Sequence, residues 1–134
     1  MTSPDRGPAP HILLADDDDF VGFVLETVLA ERGFRVSRAP DGLQALDIDA
    51  VDPADCLVTD IRMPRMDGVA LIDALRRRSP GLPVVVVSGS TREAAPVLEA
   101  LPALSVLPKP ARPEDVAAAV ETLLDLPAGH GAKV

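Results

Sequence analysis

The chain has 134 residues, enough for one domain with a sizeable buried core. Its net charge of −8 and pI near 4.6 repel nucleic-acid phosphates, and without Trp or Tyr it lacks a base-stacking platform, so direct nucleic-acid binding is not expected. With 47% apolar residues, a single cysteine and only short apolar runs, the composition excludes a disordered chain, an internal disulfide, a cysteine zinc site and a membrane span.

Residues 1–10 carry three prolines and a glycine among polar neighbours; they read as a disordered tail with no signal-peptide core, so the expected location is cytoplasmic. His11 to Ala15 is a continuous apolar run, the pattern of a strand buried on both faces of a parallel sheet, and it ends on four successive aspartates, Asp16 to Asp19. Over residues 20–32, Val21, Val24, Leu25, Val28 and Leu29 recur at helical spacing, with Asp18 or Asp19 as the N-cap and Gly33 as the stop. Residues 34–39 predict a weaker second strand, Pro40-Asp41-Gly42 a turn, and 43–51 a short helix.

The third predicted strand is 56–59, with Cys56 packed in the core, and it runs into Asp60. Pro64 and Asp67-Gly68 break the chain before a helix over 69–78 with Leu71, Ile72 and Leu75 inward. Arg76, Arg77 and Arg78 suit the negative end of that helix and read as a solvated helix end, not a nucleic-acid patch. Residues 82–87 form the clearest buried strand, ending at Ser88-Gly89-Ser90. The helical pattern over 91–101 contains Pro96 and is closed by Pro102. A proline inside a helix costs about 3 kcal/mol, so that helix is expected to start near Pro96 or to be distorted. Residues 104–107 predict a fifth strand before Pro108-Lys109-Pro110. Pro113, followed by Glu114 and Asp115, opens a last helix with Val116, Val120, Leu123 and Leu124 inward, and 127–134 is a second tail.

Strands alternating with helices over short connections give parallel strands with right-handed crossovers. The expected fold is α/β: a flavodoxin-like, doubly wound five-stranded parallel sheet of order 2-1-3-4-5 with helices on both faces. The carboxyl ends of such strands share one edge, where ligands collect. They supply Asp16 and Asp17, Asp60, Ser88 and Lys109. Singly, these read as a helix-capping acidic loop, a loop starter, a turn serine and a surface lysine. Together on separate strand ends, three carboxylates repel one another unless a cation intervenes, and an oxygen-only acidic set suits Mg²⁺. With Lys109 as a compact cation and Ser88 as a hydroxyl for an oxyanion, the set fits Mg²⁺-assisted phosphoryl transfer.

Four segments carry a resemblance: Ile12-Leu13-Leu14-Ala15-Asp16-Asp17-Asp18, the stretch from Asp60 through Pro64 to Asp67-Gly68, Val87-Ser88-Gly89, and Lys109-Pro110. With Ala39-Pro40-Asp41-Gly42 they resemble the receiver domain of two-component response regulators over about residues 11–126. The resemblance implies a non-enzymatic phosphoacceptor, capable of self-phosphorylation and autodephosphorylation only. Asp60 would be phosphorylated by a sensor histidine kinase or phosphotransfer protein. Asp17, Asp60 and the backbone carbonyl of Arg62 would bind Mg²⁺, with Asp16 acting through a water. Ser88 and Lys109 would contact the phosphoryl oxygens, Ser88 moving as the switch and Gly89 leaving access. Arg62 and Ser90 would tune the lifetime of the acyl phosphate.

The chain departs from the family at Val106 and Ala111, where aromatic residues are frequent, and at Pro96 and Pro102 between strands four and five. The expected role is a single-domain switch or relay that engages an unknown protein partner through the face formed by 91–126. A receiver excised from a longer hybrid kinase or regulator is the alternative. A flavodoxin-like cofactor binder would need a phosphate loop where Asp16 to Asp19 stand, and a Mg²⁺-dependent phosphatase would need a second acid/base Asp and a cap.

Overall fold

A computed structural model describes residues 9–89 and 103–126. Residues 1–8 and 127–134, Ser90, and the segment 91–102 for which the sequence predicts a helix with Pro96 and Pro102 lie outside the described residues. Chain order is β1 (His11–Ala15), α1 (Asp19–Glu31), β2 (Arg35–Ala39), α2 (Gly42–Val51), β3 (Cys56–Asp60), α3 (Gly68–Arg78), β4 (Val84–Ser88), β5 (Leu104–Pro108) and α4 (Pro113–Leu123). The strands form one parallel sheet in the order β2-β1-β3-β4-β5, as expected. The carbonyl of Pro10 accepts from the Arg35 amide, so ordered pairing reaches back to the end of the first tail.

Strand alternation divides the core in two. Leu13, Leu57, Val84 and Val86 pack with Leu71, Ile72 and Leu75 of α3 and Ala45 of α2 on one face. Ile12, Leu14, Val58, Val85 and Val87 pack with Leu25 and Leu29 of α1 and Val116 and Val120 of α4 on the other. β1, β3 and β4 are buried at every position, which is why they read as unbroken apolar runs. Edge strand β2 is buried only at Ala39, with Arg35 and Arg38 exposed, and reads weakly for that reason.

The helix starts are set by local chemistry. Asp18, not Asp19, caps α1, accepting from the Phe20 and Val21 amides. Asp41 caps α2 and Asp67 caps α3. Gly33 follows α1 at φ 91°, a conformation that suits glycine. One inward position differs: Val21 is 40% exposed, and Gly22 is buried instead, against the Arg38 side chain.

Two buried carboxylates stand where apolar periodicity would not place them. Glu121 of α4 is 1% exposed and accepts from Arg32 at 2.7 Å. Asp49 of α2 accepts from the Ala54 amide at 2.9 Å and from Arg78 at 3.1 Å. Each is compensated by a partner far along the chain, as burial of a charge requires. Among the described residues no helix is long and apolar enough to cross a membrane.

Candidate functional site

The register fixes which residues meet. Ala15 lies opposite Ala39 and Thr59, Asp60 opposite Val87, and Ser88 opposite Pro108. Backbone hydrogen bonds from Asp16 to Ala39 and from Lys109 to Ser88 carry the ladders one residue past β1 and β5. The residues after each strand therefore leave the same edge together.

At this edge Asp16, Asp17 and Asp60 each place a carboxylate oxygen within 4.8 Å of the others. Asp60 is 6% exposed. One of its oxygens accepts from the Ile61 amide at 2.8 Å, and the other accepts from Lys109 Nζ at 2.7 Å. Asp16 is half-buried and accepts from the Asp18 amide at 2.8 Å, a turn that delivers Asp18 to its capping position. Asp17, between them, is exposed.

The electrostatics follow from crowding. Burial raises the Asp16 carboxyl above its ordinary value, the Asp18 amide opposes this, and the Asp60 charge adds to it. For Lys109, partial burial pulls the ammonium down, but its hydrogen bond to Asp60 and the charges of Asp60, Asp16 and Asp17 outweigh burial and raise it. Three acids and one lysine leave net negative charge on oxygen donors alone, which is the donor set a hard divalent cation takes.

An open cavity of about 720 Å³ lies above the acids, with room for a phosphoryl group and the side chain that delivers it. Asp16, Asp17, Asp60, Gly89 and Lys109 line it. Ser88 does not. It is 2% exposed at the end of β4, and strand alternation places it on the opposite face from Val87, which does line the cavity. Arg62 is exposed in the loop after β3. Val106 packs half-buried against the α2–α3 side of the core, and Ala111 lines the cavity. Sequence reasoning missed the apolar wall: Phe20, Val21 and Pro110. Its signal was the position of Phe20 and Phe23 directly after the acidic run, with Phe20 75% and Phe23 59% exposed.

Comparison with known proteins agrees with this geometry. The sequence profile of the response regulator receiver domain matches residues 12–121. The chain belongs to that family. The receiver is 36% identical over 111 residues to the DNA-binding transcriptional regulator NtrC of Escherichia coli (strain K12), covering 82% of this chain and 24% of that protein. It is 39% identical over 116 residues to the response regulator MprA of Mycobacterium avium (strain 104), covering 85% of this chain and 50% of that protein. The receiver thus spans a quarter to a half of these relatives. A response regulator receiver protein from Sinorhizobium medicae WSM419 superimposes with a TM-score of 0.78 at 32% identity, covering 87% of this chain and 95% of that one. The protein is a response regulator receiver domain of the two-component type.

Proposed function

We propose that this receiver accepts a phosphoryl group on Asp60 from a phosphohistidine of a sensor kinase or phosphotransfer protein, with Mg²⁺ as cofactor, and acts as a switch or relay. The observation that carries the reading is Asp60 with two further carboxylates within 4.8 Å and Lys109 at 2.7 Å, at the mouth of one cavity. Asp17, Asp60 and the backbone carbonyl of Arg62 would hold Mg²⁺, with Asp16 reaching it through a water. When bound, the ion offsets charge on the phosphoryl oxygens.

The remaining chemistry belongs to the chain. An Asp60 carboxylate oxygen forms a bond to phosphorus as the phosphorus–nitrogen bond breaks. The bond electrons stay with the imidazole, which leaves neutral when its other nitrogen carries a proton. Lys109 passes its hydrogen bond from Asp60 to a phosphoryl oxygen. Ser88 joins by reorienting from the face it now occupies, so its hydroxyl registers the modification, and Gly89 offers no side chain to obstruct the group. Arg62 and Ser90 set how long the acyl phosphate survives before transfer or hydrolysis. A protein partner reads the change on the face that includes β5 and α4.

The decisive experiment is incubation with acetyl phosphate and Mg²⁺, read by intact mass. One added phosphoryl group is expected, absent without Mg²⁺ and absent in Asp60→Asn. An unchanged wild-type mass, with beryllofluoride also failing to bind, overturns the reading.

Phe20 and Phe23, with Val21, form an exposed apolar surface beside the acids, the kind of patch that marks a protein contact. The phosphohistidine donor is expected to dock there. Phe20→Asp should slow transfer from a protein donor roughly tenfold, as loss of a buried aromatic contact does. Phosphorylation by acetyl phosphate should stay unchanged; equal slowing with both donors contradicts docking at Phe20.

A second reading is favoured by the relatives, of which the matched region is 24% and 50%. These residues then form the receiver portion of a longer regulator or hybrid kinase, and Asp60 controls an attached domain instead of a free partner. The length of the transcript distinguishes the two.

A further inference from the structure

The loop of residues 61–67 leads from Asp60 into α3 and carries Arg62. Its far end is closed by a hydrogen bond from the Gly68 amide to the Ile61 carbonyl at 2.8 Å. In its middle, the Met66 amide donates to the Pro64 carbonyl at 2.7 Å, a γ-turn centred on Arg65 with φ 66°. That hand of γ-turn is rare and strained, and a residue with a side chain is disfavoured in the left-handed region. Glycine would be the undemanding choice at this apex. Arginine stands there instead, and its guanidinium explains how the turn is held.

Arg65 Nε and Nη2 lie 3.0 and 2.8 Å from one oxygen of Asp41, a residue 5% exposed. The other Asp41 oxygen caps α2 through the Gln44 amide at 2.9 Å. That amide holds the Asp41 carboxyl below its ordinary value against the opposing effect of burial, and Arg65 adds to the lowering. Beside them, the Gly42 amide donates to the Met66 carbonyl at 3.1 Å. A side chain at Gly42 would meet Met66 at 2.6–2.7 Å, so only glycine permits this approach. The strained turn is thus pinned to the start of α2 by one ion pair and one backbone contact.

We infer that the Asp41–Arg65 pair is a positioning clamp that presets the 61–67 loop, and with it the Arg62 carbonyl, for the divalent cation held by Asp17 and Asp60. The inference rests on the Mg²⁺ reading above. Arg65 is half exposed, so water screens its end of the pair, and the buried Asp41 keeps the Gln44 amide as a partner when the guanidinium is removed. Strained backbone held by over-determining contacts is characteristic of functional loops. The pair therefore matters to the loop's shape more than to the fold.

The test compares wild type with Arg65→Gly, Asp41→Asn and the double variant. Mg²⁺ affinity is read by titration calorimetry, and Tm is read without metal. Arg65→Gly removes the clamp and the left-handed strain together. It should keep a metal-free Tm at or above wild type while binding Mg²⁺ about tenfold more weakly, in the range found when groups that orient metal ligands are lost. Asp41→Asn retains an oxygen for the cap and should weaken Mg²⁺ similarly. The double variant should be no weaker than the weaker single, as expected for one shared interaction. Wild-type Mg²⁺ affinity in Arg65→Gly overturns the clamp while leaving the proposed function standing. Affinity that falls only in step with metal-free Tm also overturns it, because the pair is then structural. A wild type that binds no Mg²⁺ overturns both.

Discussion

Gly68→Ala is expected to lower Tm by on the order of 10 °C, whereas Gly81→Ala leaves it unchanged. Gly68 is the buried first residue of α3, and a methyl group there would overlap the Asp60 carbonyl oxygen and lie 3.0 Å from Ile61 Cα. Those atoms are backbone and cannot swing aside. Either α3 or the end of β3 must retreat, at a cost of about 3 kcal/mol, the upper part of the range for overpacking. At Gly81 the added methyl meets nothing within 4 Å, which makes it the control. Gly22→Ala should fall between them, since its nearest obstacle is the Arg38 guanidinium at 2.8 Å, the far end of a flexible side chain. Calorimetry of the three variants checks the order. A Gly68→Ala protein as stable as Gly81→Ala contradicts the packing described. Phosphorylation should fall with stability in Gly68→Ala, because the displaced backbone is that of Asp60 itself.

Lys109→Met is expected to reduce phosphorylation by acetyl phosphate on the order of 100-fold, the usual loss when a group aimed at transition-state charge is removed. It should also change how the metal-free protein responds to pH. Burial, first among its causes, raises the Asp16 carboxyl, so the folded state holds that proton more tightly than the unfolded state does. Metal-free stability therefore falls as pH rises from the ordinary value of 3.8 through the raised one. Lys109 has the same sign at higher pH: its raised pKa contributes stability that is fully present below 10.5 and is lost as pH climbs through the raised value. With methionine in its place the carboxylates lose this cation, and the decline above the acid range should steepen. Mg²⁺ should restore more stability to Lys109→Met than it adds to wild type. Tm measured across pH with and without Mg²⁺ checks both points, and superimposable profiles for the two proteins contradict them.

Much of the reactive edge was legible in the amino-acid order because strand ends are written locally. An apolar run stops, an acid, serine or lysine follows, and parallel pairing does the rest; β1, β3 and β4 all announce themselves this way. The cap of α1 was legible too, in Asp18 or Asp19, whereas Asp41 and Asp67 read only as a turn and a chain break although they accept from the Gln44 and Ala70 amides three residues on. What was hidden depends on partners distant in sequence. Arg65 looked like any loop arginine until its ion pair with Asp41 appeared. Nothing near Glu121 in the sequence points to its partner, Arg32, which follows α1 and lies 89 residues away. Val21 fitted the inward stripe of α1, but helical periodicity does not reveal that Gly22 beside it is the residue buried, under Arg38 of β2.

Asp60 stands on β3, the central strand, with β1 and β4 hydrogen-bonded along its two sides. In amide exchange such a strand opens last, near the global unfolding limit, while edge strands and helix first turns open at far lower cost. The proposed phosphoacceptor is therefore expected in the slowest-exchanging part of the molecule, and the surfaces expected to meet partners, the start of α1 and edge strand β5, in parts that open sooner. On the proposed function, fluctuations that loosen a partner's grip would come and go many times without disturbing Asp60.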